Sequence, residues 1–96
     1  KVDPNAAITV YVKATNAPHI HAWTTGVDGK NLTGEWPGKV MDGPEVIDGD
    51  NYWTYSFDNV EKFNVILNNG SGAQSGEISG ITGDIYLEYD GGCQAA

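Results

Sequence analysis

No stretch of this chain carries apolar residues at helical spacing over three turns, while several short runs alternate at period two, and that contrast restricts the fold more than any other feature. Ile8-Thr9-Val10-Tyr11-Val12-Lys13 sets Ile8, Val10 and Val12 on one face of an extended segment. Asn16-Ala17-Pro18 breaks that run, and His19-Ile20-His21-Ala22-Trp23 alternates again, with Ile20 and Ala22 on one side and His19, His21 and Trp23 on the other. A third run, Tyr52 to Phe57, points Trp53, Tyr55 and Phe57 toward a core. Lys62 to Asn68 is almost continuously apolar, which marks a central strand, and Asp84 to Tyr89 is the last. Turn signals punctuate the runs at Asp28-Gly29, Asp42-Gly43-Pro44, Asp48-Gly49-Asp50-Asn51 and Asn69-Gly70-Ser71-Gly72. The pattern predicts an all-β fold, an antiparallel β-sandwich of immunoglobulin-like type. The count reaches about seven strands if short segments near Trp36 and Glu77 also pair.

At 96 residues the chain is one domain. Residues 1–7, with Asp3-Pro4-Asn5, read as a linker or lead-in; 8–90 form the sandwich, and 91–96 are a C-terminal tail. The start lacks Met, a basic leader and an apolar signal core, so the chain is expected to be a mature or excised piece of something longer. Cys93 stands alone, which excludes an internal disulfide and a Cys-based zinc site. A net charge of -8 with only 5 Lys and Arg argues against nucleic acid and anionic membrane as partners. A neutral or cationic ligand fits better.

Glu35-Trp36-Pro37-Gly38-Lys39-Val40-Met41 is where a ligand is most readily placed. Pro37 lacks an N–H and restricts Trp36, so the tryptophan belongs to a stiff, irregular segment and not to a central ladder. A Trp ring held in solvent costs hydrophobic free energy until a flat, partly apolar partner covers it. The other reading of Trp36 is a half-buried ring of the core.

Catalytic chemistry finds little support. Two histidines at i and i+2 on a strand can chelate a metal, but His19 and His21 have no third ligand in view. Asp48-Gly49-Asp50 reads as a turn before it reads as a weak calcium loop. Paired carboxylates for glycoside hydrolysis need a cleft that a sandwich of this size scarcely offers, and no G-x-S-x-G elbow is present. No enzyme activity, cofactor or metal is therefore expected. What remains is a surface of one stiff aromatic, two flat imidazoles and a turn rich in amides and hydroxyls. Sugar rings are held by such parts, through aromatic stacking on C–H faces and hydrogen bonds to the hydroxyl rim. Exposed histidines on a solvated strand are the plainer alternative.

In order along the chain, His19-x-His21-x-Trp23, Trp36-Pro37-Gly38-x-x-Met41, Tyr52-Trp53-x-Tyr55 and Val65-Ile66-x-Asn68-Asn69-Gly70-Ser71-Gly72-x-Gln74 resemble the starch-binding carbohydrate-binding modules of family 26. The resemblance runs from about Ile8 to Tyr89. It implies a non-catalytic β-sandwich that binds α-1,4-glucans, namely starch and maltooligosaccharides, with no nucleic acid and no membrane as partner. It also implies a monomeric module within a larger multi-domain protein, bacterial, secreted or cell-surface, and associated with an amylase or starch adhesin. By motif match the aromatic platform is His19, His21 and Trp36, with Gln74 reaching sugar hydroxyls or bracing the site. Lys30, Glu35 and Glu77 are further rim candidates. The family often has tyrosine where this chain has histidine, and a protonated imidazole would desolvate poorly against a sugar. Trp36 and His21 are expected at an angle, to suit the curvature of an α-1,4 chain. An immunoglobulin-like spacer or adhesion domain, or a module for another glycan, is the alternative.

Overall fold

The computed structural model describes residues 7–25, 29–58, 60–70, 72, 74–89 and 93–95. The lead-in expected over 1–7 therefore lies outside the described residues except for Ala7. Among the described residues nine strands follow in order: β1 Ile8–Lys13, β2 His19–Trp23, β3 Lys39–Val40, β4 Asp42–Ile47, β5 Asp50–Phe57, β6 Phe63–Asn68, β7 Ile78–Ile81, β8 Ile85–Tyr89 and β9 Cys93–Ala95. They make two sheets, one ordered β4-β5-β1-β8-β9 and the other β3-β2-β6-β7. The fold is a β-sandwich.

Alternation decides which side of each strand is inside. Val10 and Val12 of β1, Ile20 and Ala22 of β2, Val65 and Leu67 of β6, and Leu87 of β8 are buried between the sheets. Phe57 and Phe63 join them, their rings 4.6 Å apart, and Tyr55 meets Phe57 at 5.0 Å. Trp53 packs at the margin of this core and donates its indole N–H to the Ala14 carbonyl at 3.0 Å, which satisfies its one polar group.

Two strands appear beyond the expected set, and one pairing has an unexpected direction. β4 lies where Asp42-Gly43-Pro44 signals a turn. It is an edge strand, almost wholly exposed, with a register break between Asp42 and Glu45 that accommodates the proline. Its hairpin to β5 turns through Asp48 and Gly49, both at positive φ (51° and 84°), as a two-residue loop requires. β9 pairs with β8 inside the segment expected to be a tail. β1 and β8 run parallel, unlike every other pair. They are not joined by a hairpin, since the chain crosses to the other sheet and back between them.

Candidate functional site

The outer face of the four-stranded sheet carries His19, His21 and Trp23, the residues of β2 that alternate away from the core. Gly38 brings the loop before β3 down onto this face. A Cβ at Gly38 would lie 2.1 Å from the Ile20 carbonyl oxygen and 2.8 Å from the His21 Cα, and its φ is +89°. Only glycine lets the two backbones approach so closely. The Gly38 N–H donates to the Glu35 carbonyl at 2.8 Å, closing a turn in which the Trp36–Pro37 peptide is cis.

Trp36 is thereby set against His21. Their ring centroids are 5.3 Å apart and the planes meet at 65°, while Trp23 flanks the other side of His21 at 5.4 Å and 33°. Trp36 keeps 48% of its surface in solvent. The three rings form a bent aromatic row, open outward, in which no two planes are parallel.

His19 and Gln74 lie on one line across the sheet. Val40 pairs with His19, His19 with Asn68, and Asn68 with Gln74 through an isolated bridge. Gln74 is thus about 10 Å from His19, two strand spacings away, and its side of the sheet is exposed. The His19 ring covers the Gly70 turn, where a Cβ would meet its Cε1 at 2.9 Å. The Nδ1 atoms of His19 and His21 are both buried without a hydrogen-bond partner. A ligand hydroxyl therefore reaches neither ring through Nδ1.

The sequence model of starch-binding module 26 (CBM26) matches residues 10–79. The chain belongs to the CBM26 family. That family is a non-catalytic carbohydrate-binding module. Among solved structures, the chain is similar to the family CBM26 module CBMbc of Eubacterium rectale Amy13K, crystallised with maltoheptaose. That likeness is at 24% identity and a TM-score of 0.59, over 95% of this chain and 45% of the other. It is also similar to the iodinated CBM25 of a Bacillus halodurans amylase in complex with maltotetraose, at 25% identity and a TM-score of 0.55, over 95% of this chain and 97% of the other. The second CBM25 of a Paenibacillus polymyxa β/α-amylase shares 21% identity at a TM-score of 0.57, over 94% of this chain and 91% of that one. The present chain spans less than half of the Eubacterium rectale chain. No curated protein matches it.

Within this CBM26 module, one residue that sequence reasoning did not assign to the site holds it together. Asn68 is 1% exposed. Its side-chain amide donates to the Pro37 carbonyl at 3.1 Å, and its side-chain oxygen accepts from the Gly70 N–H at 2.8 Å. One amide thus ties the Trp36 loop to the turn beneath His19. Gln74, expected to reach sugar hydroxyls or to brace the site, is bridged to this same Asn68. The Asn68-Asn69-Gly70 turn and its place in the resembling motif marked Asn68 in the sequence, but not its reach to Pro37. Trp23, one ring of the row, and the exposed Val40, which pairs with His19, were not singled out as site residues either; alternation with His19 and His21 marked the first.

The other rim candidates are dispersed. Glu35 lies in the Trp36 turn itself. Glu77 accepts from the Ser79 hydroxyl at 2.6 Å on the exposed chain before β7. Lys30 sits at the far end of β2, where Thr24 and Lys30 bond backbone to backbone, and lines a separate hollow of about 400 Å³ with Thr24, Asp58 and Glu61. That hollow contains none of His19, His21, Trp36 or Gln74. Stacking on a sugar requires an accessible ring face, which Trp36 has, and not an enclosed volume. Among the described residues, no group of three or more His, Cys, Asp or Glu is placed to hold a metal ion.

Proposed function

We propose that this module binds α-1,4-glucans through Trp36 and His21, assisted by His19 and Gln74, and carries a larger protein to starch. The observation behind this reading is the angle between the two rings. Planes meeting at 65° offer a bent platform. A flat chain such as a β-1,4-glucan needs successive coplanar rings, whereas an α-1,4 chain turns from one glucose to the next. The loop holding Trp36 is fixed at two points, by Gly38 against β2 and by Asn68 on Pro37, so little ordering is left for binding to oppose.

Affinity for one short oligosaccharide is modest on this reading, since a stacked ring contributes on the order of 1 kcal/mol beyond the area it buries. Tandem modules or repeated engagement along a polymer raise it. The setting we infer is a monomeric module within a secreted or cell-surface bacterial protein, attached to an amylase or starch adhesin. Maltooligosaccharide complexes of a CBM26 and a CBM25 module support the ligand class, and the amylase origin of the CBM25 neighbours supports the setting. The domain limits follow the same reading, with 8–90 as the binding unit.

Native electrophoresis through gels holding amylopectin, with dextran and a mixed-linkage β-glucan as controls, tests this. Wild type should be retarded by amylopectin alone, and Trp36→Ala should lose most of that retardation while keeping its melting temperature. Full retention by the variant would remove Trp36 from the site. Equal retardation by the β-glucan would give the module to another glycan.

A further inference from the structure

The outer face of the five-stranded sheet carries a second cluster of rings, remote from Trp36. Tyr11 of β1 and Tyr86 of β8 share a register position and stack at 4.4 Å with planes 9° apart. Tyr52 of β5 meets Tyr86 edge-on at 5.8 Å and 85°. The strand neighbours Val10, Val12 and Leu87 are buried, so alternation places these tyrosines on the solvent side. Tyr86 retains 45% exposure although Tyr11 covers one of its faces.

Sheet stability explains only part of this. A cross-strand aromatic pair accounts for Tyr11 and Tyr86, but not for a third ring set at right angles. The surroundings are hydroxylated: Thr54 pairs with Tyr11, and the Thr9 and Ser56 hydroxyls lie 2.9 Å apart on the same face. Charge selects the ligand. Lys13 is held 3.5 Å from both Asp50 and Glu88, so its charge is compensated. Burial first, then Tyr86 and the Asp84 and Glu45 carboxylates hold the Tyr11 phenol above its ordinary value, and like any phenol it is neutral and able to donate a hydrogen bond at neutral pH. An anionic polymer is repelled here. An uncharged polyol meets ring faces, hydroxyls and carboxylate acceptors without desolvating an unpaired cation.

We propose that Tyr86, with Tyr11 and Tyr52, forms a second surface for neutral glucan chains on the face opposite the Trp36 platform. It shares the ligand class of the reading above and none of its residues. The sheets of a sandwich are about 10 Å apart and their outer faces look in opposite directions, so the two surfaces engage separate chains and one module bridges them.

The experiment is a maltoheptaose titration followed by NMR on the 96-residue chain, in wild type, Trp36→Ala, Tyr86→Ala and Tyr52→Ala, the last two also added to Trp36→Ala, with amylopectin gels in parallel. In Trp36→Ala the Tyr11 and Tyr86 ring protons should still shift and weak retardation should persist. Tyr86→Ala added to Trp36→Ala should weaken that residual binding about fivefold or more. Tyr52→Ala should do the same to a smaller extent, and it serves as the reporter if Tyr86→Ala does not fold. If the tyrosine signals stay still while Trp36 responds, the second surface is overturned and the platform stands. If they shift while Trp36→Ala changes nothing, the platform is overturned and this surface stands. If oligolysine shifts them and maltoheptaose does not, the surface belongs to a cation and the proposal fails.

Discussion

The two outer faces of the sandwich present rings by different means. On the four-stranded sheet the principal ring comes from a loop laid across the strands, anchored by one glycine and one buried amide. On the five-stranded sheet each ring stands on its own strand, and register alone brings Tyr11 beside Tyr86. A loop can set a ring at any angle its anchors permit. Register sets Tyr11 and Tyr86 on adjacent strands as a 9° stack, and the perpendicular partner Tyr52 reaches Tyr86 from β5, on the other side of β1. The first face depends on its anchors, the second on the sheet.

Gly38→Ala breaks the first face most severely. A Cβ would collide with the Ile20 carbonyl at a backbone conformation that disfavours L-residues, so a loss of about 3 kcal/mol in stability is expected, with amylopectin retardation lost as well. Urea unfolding measures the first effect. An unshifted midpoint would show that the loop is free to lift from β2.

Asn68→Ala comes next, at about 2 kcal/mol, because a buried amide with two partners disappears and leaves a cavity. Its signature is weaker glucan binding through a residue that ligand need not touch, which separates a brace from a contact. Asn68→Asp, which keeps the acceptor for Gly70 and loses the donor to Pro37, should weaken binding more than it disturbs the turn. Equal binding by wild type and both variants would mean that the Trp36 loop holds itself.

Trp36→Ala should weaken maltoheptaose binding on the order of tenfold with little change in stability, since the ring is half exposed and removes few core contacts. Isothermal titration gives the ratio. His21→Tyr sharpens the same comparison: a larger ring at the same strand position should raise affinity a few-fold if stacking area governs. No gain would assign His21 to hydrogen bonding or to support of Trp36.

Lys13→Met is the smallest effect, confined to the second face. The ammonium is held above its ordinary value of 10.5 by Asp50 first and then Glu88. Its stabilisation is therefore present at neutral pH and lost only as pH rises through that raised value. Exposed pairs contribute little, so a melting shift barely above error is expected at pH 7, and salt should reduce it further.

What the amino-acid order determined here is local. Ile8 to Lys13, His19 to Trp23 and Phe63 to Asn68 have unambiguous inward and outward faces, because a period of two is written in adjacent residues. The ordered motifs around Trp36 and Asn68 were legible as a family resemblance, and Trp-Pro-Gly marked a stiff loop. Edge strand β4 was hidden because an exposed strand needs no apolar alternation and its Gly-Pro reads as a turn. Partner choice was hidden too. The parallel pairing of β1 with β8, the setting of Trp36 at 5.3 Å from a histidine fifteen residues earlier, and the reach of Asn68 to Pro37 all join distant segments. Each depends on how two sheets bury their apolar faces together, a cooperative condition on the whole chain that no single window of sequence contains.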